Sequence, residues 1–356
     1  MQEKKAALIL NDGTAVYGSG FGFPSVRTGE LVFNTSMQGY QESLTDPSYA
    51  GQILLATYPL IGNYGISAYS FESKKVHAEG YVVRELCAEG EHRDSVKSLD
   101  SFLREHERPG IQGVDTRFLV RKIRTSGVMP AMIAVSESHL NMKELLENLK
   151  FDYESIDFIK NITVKKPEFY GDKKAKRKVV LIDYGAKMNM VNELVKRGLQ
   201  VIVVPAYEEE KTIRSFEPDG IILSNGPGNP AILEHAHKAI RGLKDYPIFG
   251  ICLGNQLIAH AFGGDTYKLK FGHRGVNHPV INLKDGKVRI TTQNHGFAVG
   301  KIPRDFEMTE KNGNDGSVEG LEHKDGHIFT VQYHPEATPG PHDSKFLFDK
   351  FVKMLG

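Results

Sequence analysis

The chain has 356 residues, of which 40% are hydrophobic and 25% are charged. This composition is typical of a folded globular protein and excludes a disordered, collagen-like or coiled-coil chain. Lys and Arg exceed Asp and Glu by one, which gives a net charge of +1, so the chain has no overall field for a polyanion such as nucleic acid. At about 150 residues per domain, the length favours two domains.

Two further features bear on the compartment. No apolar run reaches the roughly 20 residues needed to cross a bilayer, and the first ten residues resemble neither a secretory signal nor a transit peptide. The only cysteines are Cys87 and Cys252, which excludes a disulfide framework and favours a reducing environment. We therefore expect a cytoplasmic protein without a membrane partner.

Residues 1–150 predict a small, β-rich α+β domain. Asp12-Gly13 lies between the apolar runs 6–10 and 14–17, a pattern typical of a β-hairpin. Further strands are predicted at 29–34, 52–57 and 80–86, and helices at 98–107 and 116–126. Residues 151–177 are rich in Lys, Glu and Asp and are predicted to form a solvated linker.

From residue 178 to 356 the pattern changes to buried strands that alternate with helices. The predicted strands are 178–183, 200–205, 220–224 and 247–251, and the predicted helices are 188–197, 231–243 and 255–262. This alternation is typical of an α/β domain with a doubly wound, mainly parallel sheet. Ligands bind at the carboxyl ends of such strands, so we expect a site in the loops after Leu223 and Ile251.

Cys252 follows the predicted strand 247–251 in the sequence Gly250-Ile251-Cys252-Leu253-Gly254. Gly-x-Cys-x-Gly at such a turn is the thiol form of a nucleophile elbow, in which the glycines remove side chains that would collide. The turn exposes the sulfur at a helix N-terminus, which favours the thiolate. A buried structural cysteine is the alternative interpretation, and it suits Cys87, which lacks this context.

His334 is the predicted acid–base partner of this thiol. It follows the apolar run 328–331, so it too can lie at the end of a strand, and Pro335 favours an extended His334. In an extended segment, residues two apart point to the same side, so Glu336 can orient the imidazole as the third member of a triad. A surface turn with an incidental acid is the alternative.

The loop 224–230 is rich in Gly and Pro and precedes a predicted helix. Backbone N–H groups there can face an anion, and those of Gly228 and Leu253 would form an oxyanion hole. A plain Gly/Pro turn is the alternative. The sequence contains neither His-Glu-x-x-His nor Cys-x-x-Cys, so no metal site is expected.

Three motifs together resemble the triad-type (class I) glutamine amidotransferases. In chain order they are Asn225-Gly226-Pro227-Gly228, the segment 250–256 around Cys252, and His334-Pro335-Glu336. Further segments resemble the small chain of carbamoyl-phosphate synthase, and together they extend over essentially the whole chain. These are residues 34–42, 45–49, 58–63, 113–117, 271–279, 293–299 and 339–343.

The resemblance implies that Cys252 attacks the side-chain amide of glutamine and that a glutamyl thioester forms. His334 would take the thiol proton and give it to the leaving ammonia, while Glu336 orients His334. The implied glutamine-binding residues are Ser48, Gly226, Gly228, Leu253, Gln256, Asn294, Gly296 and Phe297. Asn255 departs from the family pattern, since many relatives have a histidine there.

The resemblance also implies a partner, the large subunit of carbamoyl-phosphate synthase, in a heterodimer or an assembly of heterodimers. That subunit would use the ammonia, bicarbonate and ATP with Mg to make carbamoyl phosphate for arginine or pyrimidine biosynthesis. This chain lacks a Gly-x-x-x-x-Gly-Lys-[Ser/Thr] loop, so no cofactor is expected on it.

Two other functions fit parts of this pattern. One is the glutaminase arm of a different amidotransferase, such as that of anthranilate or GMP synthesis, although the long N-terminal region with its own motifs argues against it. The other is a non-catalytic binding module of the same fold, against which the presence of Cys252, His334 and Glu336 argues.

Overall fold

The computed structural model describes residues 4–138 and 141–356, apart from the side chains of Met142 and Lys143. The chain divides into two compact units, Met1–Ile156 and Asp157–Gly356. The division falls near the start of the segment 151–177 that the sequence predicts to be a linker. Part of that segment has regular structure, because Glu168–Tyr170 is a strand.

The first unit is built on a closed β-barrel, with short helices and loops between its strands. Its strands are β1 (Lys5–Leu10), β2 (Ala15–Gly22), β3 (Val26–Asn34), β4 (Gln52–Ala56), β5 (Leu60–Ile61), β6 (Gly80–Val82), β7 (Glu85–Leu86), β8 (Pro109–Gln112) and β9 (Met129–Ser136). Its helices are α1 (Tyr40–Thr45), α2 (Leu99–Glu105), α3 (Thr116–Ser126) and α4 (Met142–Glu147).

The barrel has the strand order β1-β2-β8-β6-β4-β3-β9, and β9 pairs with β1 to close it. Closure leaves none of these strands as an open edge. The predicted hairpin is observed as β1 and β2. The predicted strand 80–86 instead forms two short strands, of which β6 belongs to the barrel and β7 pairs with β5.

The second unit contains the longer sheet. Its strands are β10 (Glu168–Tyr170), β11 (Lys178–Asp183), β12 (Gln200–Pro205), β13 (Gly220–Leu223), β14 (Ile248–Ile251), β15 (Thr266–Asn282), β16 (Val288–Val299), β17 (Phe306–Asn312), β18 (Val318–His323) and β19 (Ile328–Val331). Its helices are α5 (Met188–Val195), α6 (Glu210–Ser215), α7 (Glu234–Gly242), α8 (Leu253–Ala261) and α9 (Phe346–Met354).

Five neighbouring strands of this sheet, β12-β11-β13-β14-β19, run parallel. Alternate residues of β11 belong to two different apolar cores: Val180 and Ile182 pack on the side of α7 and α8, and Val179 and Leu181 on the side of α5 and α9. Burial on both faces explains the continuous apolar runs. The predicted α/β fold with a doubly wound sheet is therefore confirmed.

An antiparallel section extends the sheet beyond β19, in the order β18-β17-β15-β16. The sequence analysis predicts no strands between residues 266 and 323. Much of β15 is only half-buried, and β16 buries the polar run 291–295, so neither strand has the apolar pattern of a buried strand. Among the described residues, no helix is long and apolar enough to span a membrane.

Candidate active site

Cys252 lies at the sharp turn from β14 into α8. Its backbone has φ 54° and ψ −102°, outside the conformations that non-glycine residues normally adopt. The N–H of Cys252 donates to the carbonyl of Val331 at 2.8 Å, which anchors the turn to the end of β19. Strain of this kind persists only where the surroundings fix it, and it concentrates at functional sites.

The two glycines around Cys252 are required by close packing. A Cβ on Gly254 would lie 2.3 Å from the backbone oxygen of Leu223, and one on Gly250 would lie 2.9 Å from the oxygen of Gly254. The N–H of Gly254 donates to the carbonyl of Ser224 at 3.1 Å. The start of α8 therefore lies directly against the loop that follows β13.

Gly254→Ala is expected to lower the free energy of unfolding by about 1–3 kcal/mol, because the added methyl group must displace backbone. Urea denaturation measures the loss. Gly263→Ala is the control: its φ is +88°, but no atom lies within 4 Å of the added Cβ, so the cost is that of the backbone conformation alone, about 1 kcal/mol. Equal losses in the two variants would show that the close approach to Leu223 is unimportant.

The Cys252 side chain is only 2% exposed, so the prediction that the turn exposes the sulfur is wrong. Its Sγ lies 3.7 Å from the backbone oxygen of Asn294, in β16, to which the thiol can donate. Cys87 lies in the first unit and is half-buried, and its thiol donates to the backbone oxygen of Glu89 at 3.0 Å.

His334 and Glu336 follow the end of β19 and are both buried. The Nδ1–H of His334 donates to Oε1 of Glu336 at 2.7 Å. The segment is a turn rather than the extended chain that the sequence predicts, since the N–H of Ala337 donates to the carbonyl of His334 at 3.1 Å. The turn at Pro335, rather than an extended strand, places the Glu336 carboxylate within hydrogen-bond distance of the imidazole.

Lys187 is a further member of this cluster that the sequence analysis missed. Its Nζ lies 3.2 Å from Oε1 of Glu336 and donates to the carbonyl of Ala337 at 2.8 Å. Lys187 is 2% exposed, so a cation and a carboxylate are buried together. Its only sequence signal is its position shortly after a buried strand, at the carboxyl edge where sites occur.

The charges around the imidazole set its protonation. Burial lowers the pKa of His334 and Glu336 raises it; Lys187 lowers it, Cys252 raises it, and the net pKa is about 10. Burial raises the pKa of Glu336, but Lys187 and His334 hold it below its usual range. The imidazole therefore holds a proton near neutral pH, next to an ionised carboxylate. Among the described residues, Nε2 of His334 has no hydrogen-bond partner, although Cys252 is close enough to shift its pKa.

Gly226, a predicted glutamine-binding residue, packs against the start of α8. A Cβ on Gly226 would lie 2.2 Å from the backbone oxygen of Tyr184 and 2.8 Å from Cδ2 of Leu253. Only a residue without a side chain fits this position. Gly228, in the same loop, has φ 93°, which also favours glycine.

Gln256, one turn into α8, joins the helix to β16. Its Nε2 donates to the backbone oxygen of Phe297 at 2.9 Å and to Oε1 of Gln332 at 3.2 Å. Together with Asn294 beside the sulfur, this places the segment 294–297, which includes Gly296, along the same edge. Ser48 lies in the first unit, where its N–H donates to Oδ1 of Asp46 at 2.9 Å; its role as a ligand stays a prediction.

Asn255, the departure from the family pattern, is completely buried. Its Nδ2 donates to Oε1 of Gln332 at 3.0 Å, and its Oδ1 accepts from the Thr330 hydroxyl at 2.6 Å. The amide thus connects α8 to β19. Its position one turn from the sulfur is a packing position in this structure.

Two groups of side chains bring three potential metal ligands within 4.8 Å of one another: His273, His295 and Glu319, which are buried, and His323, Asp325 and His327, which are more exposed. In the buried group, the ligand atoms of His295 and Glu319 already lie within hydrogen-bond distance of protein groups. The arrangement is that of a hydrogen-bonded network.

Residues 180–354 match the glutamine amidotransferase class-I family, which defines the second unit as an amidotransferase domain. Residues 8–133 match the carbamoyl-phosphate synthase small chain, CPSase domain.

Similar curated proteins span the whole chain. Carbamoyl phosphate synthase small chains are 51% identical in Methanocaldococcus jannaschii, over 98% of this chain and 99% of that one, and 48% in Archaeoglobus fulgidus, over 99% of each. The small chain of Chlorobaculum tepidum is 45% identical over 100% of this chain and 99% of that one. The chain belongs to the family of carbamoyl-phosphate synthase small chains, as the sequence motifs predict.

Proposed function

We propose that this chain is the glutaminase subunit of a glutamine-dependent carbamoyl-phosphate synthase, with Cys252 as the nucleophile. The observation that supports this most is the placement of the sulfur. It lies on a strained elbow whose backbone φ is 54°, beside a buried imidazole whose pKa is raised by Glu336 and by Cys252 itself.

Before the attack the thiol proton is already on Nε2 of His334, and Sγ then attacks the carbon of the glutamine side-chain amide as a thiolate. The C–N bond then breaks, Nε2 returns the proton to the departing nitrogen, and ammonia leaves a glutamyl thioester. Water attacks the thioester with the same imidazole as base, and glutamate is released. Glu336 keeps the proton-carrying nitrogen of His334 aimed at the reacting atoms throughout.

The substrate is proposed to lie between the loop after β13, the start of α8 and the end of β16. The N–H groups of Gly228 and Leu253 would donate to the amide oxygen as negative charge develops on it. Gly226, Gln256, Asn294, Gly296 and Phe297 would hold the rest of the glutamine, and Ser48 is proposed as a ligand on the resemblance alone.

Ammonia released into water at neutral pH becomes ammonium, which is not a nucleophile. We therefore propose that the chain passes it to a large ATP-dependent subunit, in a heterodimer or a higher assembly of heterodimers. ATP and Mg would bind to that subunit, which would make carbamoyl phosphate for arginine or pyrimidine biosynthesis. We propose the cytoplasm as the compartment.

The decisive experiment reconstitutes the chain with a large subunit of carbamoyl-phosphate synthase from the same source. Glutamine-dependent carbamoyl phosphate formation is expected from the mixture, and the large subunit alone should use only added ammonia. An ability to supply ammonia equally well to a GMP or anthranilate synthetase would support a different amidotransferase. No glutamine hydrolysis in any combination would support a non-catalytic module.

A further inference from the structure

A buried polar network lies behind the segment 294–297. Glu319 of β18 accepts from Nδ2 of Asn312 at 2.7 Å and from Nε2 of Gln293 at 2.9 Å. Oε1 of Gln293 lies 2.8 Å from Nε2 of His295, and Nδ1 of His295 lies 2.8 Å from the backbone oxygen of Phe297. A chain of hydrogen bonds thus runs from Glu319 to Phe297.

The hydrogen bonds between Glu319 and Phe297 restrict which of these side chains can carry a proton. With the Gln293 amide oriented as above, both nitrogens of His295 face oxygen acceptors, and a neutral imidazole donates through only one nitrogen. If the amide is turned over, its NH₂ donates to Nε2 of His295 and its oxygen faces Glu319. Every hydrogen bond of this series then forms only when Glu319 carries a proton and donates it to the side-chain oxygen of Gln293.

The surroundings favour the second arrangement near neutral pH. Burial, with smaller contributions from His273, Arg274 and His278, lowers the pKa of His295 well below its usual value, so this imidazole is neutral. Burial raises the pKa of Glu319 to about 8, against the hydrogen bonds from Asn312 and Gln293.

The other charged groups around Glu319 come from three elements. Asp315, in the turn between β17 and β18, and Glu310 of β17 raise its pKa further. Nδ1 of His273, on β15, lies 3.8 Å from Oε1 of Glu319. Burial lowers the pKa of His273, so it is not a permanent counterion.

We propose that Glu319 is a positioning residue for glutamine binding: its protonated carboxyl, acting through Gln293 and His295, holds the backbone of the segment 294–297 in place. This inference rests on the proposed function, since that segment is part of the proposed glutamine site. When Glu319 loses its proton, its carboxylate can only accept, and the Gln293 amide turns so that its NH₂ donates to Glu319. His295 must then donate to Gln293 through Nε2, and its bond to Phe297 is lost.

The test measures kcat and KM for glutamine between pH 6.5 and 9.5 with the full-length chain assembled with its large subunit. In the wild type, KM is expected to rise about three- to tenfold above pH 8, the effect of one hydrogen bond. Glu319→Gln keeps a neutral side chain that donates to Gln293 and accepts from Asn312 at every pH. Its KM should lack this rise.

The control is Glu193→Gln, which removes another buried carboxylate, one that pairs with Arg197 and Lys345 outside the network. It should lower stability but keep the wild-type dependence of KM on pH. Deprotonation of glutamine itself affects all three proteins equally, so the difference between them is the measured quantity.

Superimposable KM profiles for the wild type and Glu319→Gln would overturn the inference while leaving the proposed function intact. Absence of glutamine hydrolysis in the wild type would overturn both. If the variant does not fold, ¹⁵N-histidine spectra of the wild type measure the tautomer of His295 directly. A tautomer change with a midpoint near pH 8 supports the inference, and an unchanged tautomer overturns it.

Discussion

Cys252→Ser is expected to reduce glutamine hydrolysis by at least about 10³-fold in kcat, because the members of a nucleophile–base pair act as a unit. The serine hydroxyl occupies the same strained elbow, but it holds its proton far more tightly than a thiol and His334 cannot remove it as readily. Glutamate release at saturating glutamine measures the effect. The variant should elute together with the large subunit in size-exclusion chromatography, as the wild type does, which shows that the variant folds and assembles.

Cys87→Ser is the matched control, since it removes the other thiol of the chain. It should retain wild-type glutaminase activity, and an electrophilic glutamine analogue should still label it at one site. The same reagent should leave Cys252→Ser unlabelled. Labelling of Cys87, or a Cys252→Ser variant with an undiminished rate, would contradict the proposed nucleophile.

The parallel half of the second unit is predictable because its signals are local. Each buried strand is a short apolar run, and Gly250 is required by a contact only a few residues away, with the backbone oxygen of Gly254. The helix that follows starts at Leu253, two residues before the predicted start, because its first turn forms directly on the elbow.

The antiparallel half is not predictable in this way. Partners on β15 and β17, such as Ile281 and Lys311, lie about thirty residues apart, and their pairing is set by register rather than by local pattern. For the same reason, the sequence analysis does not identify Lys187 and Glu319 as functional residues. Their chemistry comes from partners far along the chain, Glu336 for the first and Gln293 for the second.

The cluster of Lys187, His334 and Glu336 gives the second large prediction. Glu336→Gln leaves the ammonium of Lys187 buried without that carboxylate, and the loss of one partner of a buried ion pair costs about 3–5 kcal/mol. It also removes the main cause that raises the pKa of His334, while burial and Lys187 continue to lower it. The imidazole should then be neutral near pH 7, and the alkaline limb of kcat/KM should move to lower pH.

Lys187→Met separates this electrostatic effect from simple loss of packing. Removing the cation takes away a cause that lowers the pKa of His334, so the alkaline limb should not move to lower pH, although the protein is again destabilised.

The double variant Lys187→Met/Glu336→Gln buries neither charge. Its free energy of unfolding in urea should therefore fall by clearly less than the sum of the two single losses, a coupling expected for residues in direct contact. Additive losses of the free energy of unfolding would show that Lys187 and Glu336 are not coupled. A shift of the alkaline limb in the same direction in both single variants would show that they do not have opposite effects on the pKa of the imidazole. An unchanged alkaline limb in Glu336→Gln would contradict this role of the carboxylate, because Glu336 makes the largest contribution that raises the pKa of His334.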